Sequence, residues 1–181
     1  LNKLWGLITT PIWLRPILGG LIIIALCFLL HTRAYLGLGV TNPDLSAPSI
    51  VRAFELGGVS SWSWFWKLLF TVVTLSAGFK GGEATPLFFI GACLGAALSG
   101  PLGLPLDLAA GLGLVAVFAA STNTPVAGAA MGAELFGWEF ALYFTLVCFA
   151  AHLCSGSGGV YRAQAIKKYR FIHLRRERSE H

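Results

Sequence analysis

An all-α integral membrane protein with broken and re-entrant helices is the fold class this 181-residue sequence predicts. Three observations carry it. First, the chain is 56% hydrophobic and 12% charged, about half the charged share of a soluble domain, with a mean hydropathy of +0.73. Second, uncharged runs of 23, 26 and 22 residues cover 84–106, 108–133 and 140–161, each as long as the roughly 20 residues that span a bilayer. Third, these runs are bounded or cut by breaks, the sharpest being Gly78-Phe79-Lys80-Gly81-Gly82-Glu83-Ala84-Thr85-Pro86. Charged, non-helical backbone at membrane depth persists only where it lines a cavity or lies buried in protein. That break is therefore expected in the ion-handling part of a membrane transport protein.

The elements follow in order. Pro16 to Leu30 is an apolar helix with the pair Gly19-Gly20, ended by His31 and Arg33. Tyr35 to Pro48 is rich in Gly, Pro and Asn and predicts a loop. Ser49 to Leu56 predicts a short helix, with Ser49 near its N-terminus and Arg52 and Glu55 exposed. Ser61 to Ala77 is a membrane segment opened by Trp62, Trp64 and Trp66, which suit an interfacial belt, with Lys67 snorkelling beside them. After the glycine-rich break, the helix within the 84–106 run is expected to stop near Ser99-Gly100, ahead of Pro101 and Pro105, and Asp107 to cap the next one. Ser121-Thr122-Asn123-Thr124-Pro125 divides the second uncharged run, Glu134 and Glu139 bracket a turn at Gly137, and Ser155-Gly156-Ser157-Gly158-Gly159 interrupts the third. A last helix from about Val160 to Leu174 leads into a basic tail.

Charge and cysteine usage bound the function. Seven of the 13 Lys and Arg residues fall between Arg162 and Arg178, just after the last apolar segment. This is the positive-inside pattern, which places the C-terminus in the cytoplasm. A solvated tail with affinity for anionic lipid is the plainer alternative, and no nucleic-acid-binding module accompanies the charge. Cys27, Cys93, Cys148 and Cys154 form no C-x-x-C pair and are expected as free core thiols. There is no nucleophile–base pair, phosphate loop or metal-ligand cluster to support enzyme chemistry, and no cofactor is expected. The first residue is Leu1 and the only methionine is Met131, so an N-terminal part is expected to be missing.

Two breaks share a design. Thr85-Pro86 and Thr124-Pro125 each put Thr where an N-cap belongs and Pro at the first helical position. The helices they open carry G-x-x-x-G spacings, Gly91/Gly95 and Gly128/Gly132, which let backbones approach closely in lipid. Two well-capped packing helices would satisfy this pattern. It also suits half-helix N-termini that present free N–H groups and positive dipole ends to an anion.

The stretch Gly81-Gly82-Glu83-Ala84-Thr85-Pro86-Leu87-Phe88-Phe89-Ile90-Gly91-Ala92-Cys93-Leu94-Gly95 resembles the second-half anion-binding motif of the CLC family of chloride channels and transporters. Ser121 to Pro125 and Gly132-Ala133-Glu134-Leu135-Phe136-Gly137 look like the family's later helix with its buried Glu, and Tyr161 matches its anion-coordinating tyrosine. The resemblance runs from about Pro16 to the end. Glu83 and Thr85 within the break are similar to the fluoride/proton antiporter branch of bacterial plasma (inner) membranes. Ser157 stands where a His is expected in that branch, and Ala84 where Val is usual.

The resemblance implies the second half of an inverted-repeat transporter fold, with 1–174 the C-terminal half of a transmembrane domain and 175–181 a basic cytoplasmic tail. It implies proton-coupled fluoride export, a homodimer with its interface on the Gly19-Gly20 helix and the helices around 125–152, and a missing N-terminal half carrying a gating G-x-E-G glutamate. A chloride channel or chloride/proton antiporter is the alternative within the class. A non-transporting remnant or partner half-subunit is the alternative outside it, separable by whether the upstream reading frame encodes further membrane helices.

Fluoride must exchange its water for protein donors. The candidates are the Thr85 hydroxyl, the N–H groups after Pro86 from Leu87 to Phe89, and the Tyr161 hydroxyl. Phe88 and Phe89 either turn positive ring edges to the anion or simply pack. Glu83 either carries or gates protons, or caps the break and pairs with Lys80. Glu134 is expected to hold a structural hydrogen bond, and His152 to be a satisfied interior histidine.

Overall fold

A computed structural model describes residues 14–41, 47–79 and 81–155. The last helix, the basic tail, Tyr161, Ser157 and Lys80 lie outside the described residues. Within them the chain forms six α-helices and two short 3-10 turns, with no strand: α1 Leu14–Leu30, the turn Val51–Phe54, α2 Ser63–Ser76, α3 Ala84–Leu102, α4 Leu106–Thr122, α5 Pro125–Phe136, the turn Trp138–Phe140, and α6 Ala141–Cys154. The breaks expected from the sequence separate α2 from α3, α4 from α5 and α5 from α6. One helix among the described residues, α3, is long and apolar enough to cross a membrane. At 19 residues it runs about 28 Å, whereas the 12 residues of α5 reach about 18 Å, well short of the hydrocarbon core.

Helix α4 is the centre of the fold, packed on α3, α5 and α6. Small residues set the α3–α4 contact. A Cβ added to Gly91 would lie 2.5 Å from the Gly113 carbonyl oxygen, and one on Gly95 would overlap the Ala109 carbonyl. A Cβ on Gly113 would in turn strike the backbone of Gly91 and Gly95. The close approach expected from G-x-x-x-G spacing is thus realised between α3 and α4. Gly128 and Gly132 of α5 instead sit against Ala119 and Cys148 and against the Phe144 ring. The core gathers at this junction: Phe89, Ala92, Cys93, Val115, Ala119, Phe144 and Cys148 are sealed from solvent.

The outer surface is oily. On α1, Leu21, Ile24 and Phe28 are exposed, and on α6 Leu142, Leu146, Phe149 and Leu153 recur at helical spacing along one exposed face. Such faces are suited to lipid or to other hydrophobic helices. Cys93 and Cys148 are buried as expected, but Cys27 is half-buried and Cys154 is exposed at the end of α6.

Several local expectations are corrected. Helix α3 runs through Pro101 to Leu102 rather than stopping at Ser99-Gly100. Its end is made by Gly103 in the left-handed conformation (φ 64°), with the Gly103 and Leu104 amides donating back to Gly100 and Ser99. Pro105 occupies the N-cap of α4, so Asp107 caps nothing and stands exposed in the first turn, where its charge suits the helix dipole. The segment 49–56 shortens to a single 3-10 turn. There Ser49 Oγ accepts the Arg52 amide at 3.3 Å, and Arg52, half-buried rather than exposed, pairs with Glu55 at 3.5 Å. Trp62 is exposed at the head of α2, but Trp64 packs on the core.

Candidate functional site

The glycine break opens α3. Thr124-Pro125 has the expected form, with Thr124 at the N-cap and Pro125 at the first helical position, though the Thr124 hydroxyl meets Thr122 Oγ1 at 2.6 Å rather than a backbone amide. At the main break the helix begins two residues earlier than expected. Glu83 is the N-cap, and Thr85 and Pro86 are the second and third helical residues. Proline is tolerated there because an amide in the first turn has no intrahelical acceptor. The earlier start moves the unpaired amides to Glu83, Ala84 and Thr85, while those of Leu87, Phe88 and Phe89 fall within the helix's own hydrogen-bonding register.

The side chains at this terminus are unspent. Glu83 makes no side-chain cap bond, so the capping role considered for it is not realised. The Thr85 hydroxyl, half-buried, has no hydrogen-bond partner among the described residues. The threonines inside helices behave differently: Thr71, Thr74, Thr122 and Thr145 each donate to the carbonyl four residues back, at 2.7–2.8 Å. At the second position of α3 no helical carbonyl lies four residues behind, so Thr85 cannot do the same.

Gly81, Gly82 and Pro86 form one wall of a cavity of about 380 Å³. Helix α1 closes it through Ile23, the 35–38 loop through Tyr35 and Gly37, and α2 through Lys67, Phe70, Thr71 and Thr74. Lys67 is the feature that sequence reasoning misplaced. It does not snorkel beside the tryptophans; it is 2% exposed. Its Nζ donates to the Tyr35 carbonyl at 3.0 Å and the Gly37 carbonyl at 2.7 Å, and stands 5.2 Å from the centre of the Phe89 ring. Ser63, Lys67 and Phe70 are the buried residues of α2, at spacings of four and three. That spacing was the available signal, because it puts Lys67 on the inward face rather than the lipid face.

The aromatic residues of α3 pack. Phe89 is sealed in the core, edge-on to Tyr35 at 6.4 Å, with Lys67 over its ring. Phe88 is half-buried with its ring 4.9 Å from that of Phe118. Leu87 is half-buried in the first turns of α3. Glu134 is exposed on α5, not buried, and makes no hydrogen bond of the expected kind among the described residues. His152 is half-buried on α6. The structure brings Gly81, Gly82 and Pro86 together with Lys67 around one cavity. It sets Glu83 and Thr85 beside it and leaves Glu134 and His152 out of its lining.

Comparison with known proteins follows from this geometry. Residues 2–156 match the family described as voltage gated chloride channel. A chloride/fluoride channel protein of Pseudomonas syringae pv. tomato (strain ATCC BAA-871 / DC3000) is 46% identical over 159 residues, covering 84% of this chain and 33% of that protein. An uncharacterised protein of Methanocaldococcus jannaschii is 27% identical over 135 residues, covering 73% of this chain and 32% of that one. The crystal structure of a CLC-type fluoride/proton antiporter superposes with a TM-score of 0.71 at 37% identity, over 80% of this chain and 35% of that structure. The chain therefore spans about a third of the length of the relatives it matches.

Proposed function

Since the chain belongs to the voltage-gated chloride channel (CLC) family of membrane proteins, we propose that it forms one wall of a proton-coupled fluoride export path. The observation that carries this is the N-terminus of α3. Three amides without intrahelical partners, at Glu83, Ala84 and Thr85, and one uncommitted hydroxyl, on Thr85, converge where the glycine break leaves the backbone bare. A small, strongly hydrated anion needs such donors in place of its water. Tyr161 supplies a further hydroxyl from beyond the described residues. Glu83, which makes no side-chain cap bond and is adjacent to these donors, carries or gates protons. Pro86 fixes the turn, while Leu87 and Phe88 shield it with apolar surface.

A further segment, of the kind the longer relatives carry, supplies the opposite wall and the gate. The chain, residues 1–174 with a basic tail at 175–181, is then the C-terminal part of the path, and the complete protein assembles as a homodimer. Its setting is a bacterial inner membrane, with the basic tail in the cytoplasm. Activity is transport rather than enzyme catalysis.

The test is reconstitution of the complete protein, this chain with its completing segment, in liposomes. Fluoride efflux is followed with an ion-selective electrode, together with chloride flux and internal pH. Fluoride efflux coupled to proton uptake is the expected result. Chloride flux outpacing fluoride would favour the chloride channel or chloride/proton antiporter reading, which the chloride/fluoride channel description of the 46%-identical relative keeps in view.

A further inference from the structure

Lys67 is a buried cation whose charge is balanced by no carboxylate among the described residues. Its interactions are the two carbonyls of Tyr35 and Gly37 and the face of Phe89. The one ion pair among the described residues, Arg52–Glu55, lies elsewhere. Carbonyl dipoles and a ring quadrupole offset part of the cost of removing an ammonium from water, but neither neutralises it, and a buried charge left unpaired is strongly unfavourable. An ammonium also carries three donors. Two are committed to carbonyls and one is left.

The cavity that Lys67 borders is otherwise poor in donors. Thr71 and Thr74, which share the lining, spend their hydroxyl protons on the carbonyls of Lys67 and Phe70. Toward the cavity they can only accept. Among the described lining residues the remaining polar groups are the Tyr35 hydroxyl, which donates to Ser63 Oγ at 3.5 Å, and main chain, bare at Gly81 and Gly82. A cation would meet the Lys67 charge in this space and be repelled. A neutral solute would find one free donor in a mostly apolar wall. A small monovalent anion would find the charge, that donor and glycine backbone without side chains in its way.

We propose that this cavity is a second anion station, in which the Lys67 ammonium is the counter-charge for a halide on its way to or from the α3 N-terminus. The inference rests on the transport function proposed above, and it does not depend on which halide is carried. The station adjoins the α3 terminus through Gly81, Gly82 and Pro86 but is not the same site, since Glu83 and Thr85 do not line the cavity. Its charge comes from α2, an element the anion-binding motif does not include. The same ammonium pins the 35–37 loop that forms the cavity's far wall, so charge and shape are set by one side chain.

The test uses the complete protein in liposomes and in detergent, comparing wild type with Lys67→Met, which keeps length and removes charge, and Lys67→Arg, which keeps charge. Lys67→Met is expected to raise the half-saturating halide concentration at least about tenfold, equivalent to about 1.4 kcal/mol, while Lys67→Arg stays within about threefold of wild type. Halide titration by calorimetry and bromide anomalous scattering from wild-type crystals read the station directly, independent of transport. Bromide density at Lys67, separate from any at the α3 terminus, is expected. Its absence there, with density present at the terminus, would overturn the station, as would a Lys67→Met protein with wild-type half-saturation. If Lys67→Met fails to fold, the wild-type bromide result decides. If the protein carries chloride rather than fluoride, the proposed export function falls, while a shifted chloride half-saturation in Lys67→Met upholds the station.

Discussion

Thr85 and Glu83 differ from their neighbours in what their side chains leave undone. The threonines inside helices return their protons to the carbonyl four residues back, whereas Thr85, one residue into a helix that has just begun, has no such carbonyl. Replacing it with the isosteric Val removes a donor without opening a cavity. Thr85→Val is therefore expected to slow fluoride transport roughly tenfold to a hundredfold, the value of one hydrogen bond to a charged group, with an unchanged melting temperature. Equal transport in both proteins would count against Thr85 as a ligand. Glu83 is expected to matter for protons: Glu83→Gln, measured by internal pH alongside the fluoride electrode, should uncouple or abolish antiport, and wild-type coupling in that variant would remove Glu83 from the mechanism. Phe89, by contrast, belongs to the core. Phe89→Ala should cost about 3–5 kcal/mol, seen as early unfolding in a detergent thermal melt, with loss of protein before any change in ion preference.

At the scale of elements, the break between α2 and α3 was legible because charge and glycine stood between apolar runs. The small-residue contact of α3 was legible from Gly91 and Gly95. What the spacing of Gly91 and Gly95 could not name was the partner, because glycine pairs suit any close neighbour; only the packing shows it to be α4 through Gly113. The N-terminus of α3 was misplaced by two residues for a physical reason. Proline is acceptable at several first-turn positions, so Thr85-Pro86 alone does not fix which residue is the cap. Lys67 was misplaced because a lysine beside tryptophans fits the interfacial pattern, and its inward direction depends on helix phase rather than on composition. The contact itself makes a prediction. Gly113→Ala places a methyl against the backbone of Gly91 and Gly95, neither of which can rotate away. A destabilisation of about 1–3 kcal/mol is expected, read as a fall in melting temperature, while Gly100→Ala, within α3 and with open space around it, should leave the melt unchanged or raise it slightly.

For the whole molecule, the oily outer faces of α1 and α6 and the short α5 describe a body made to sit against lipid and further helices. The chain alone, reconstituted at matched protein density, is expected to leave a fluoride gradient intact, and co-reconstitution with its completing segment to dissipate it. Fluoride efflux from the chain alone would show that one wall suffices. The family was legible from the break outward, since its motif is a run of contiguous residues. The cavity was not, because its lining draws on four separate stretches between Ile23 and Pro86 that only folding brings together.

The glycine contact between α3 and α4 has a mechanical side. Two helices whose backbones touch at Gly91, Gly95 and Gly113, where no side chain intervenes to change rotamer, cannot slide without breaking that contact, so they travel as a single strut. The α3 terminus at Glu83 and the α5 terminus at Thr124, which follows directly from α4, are thereby held at a fixed spacing. In the transport proposed above, a change of sidedness is then expected from swinging side chains or from a shift of the α1–α2 edge, where packing is sparser, with the strut as the stationary frame.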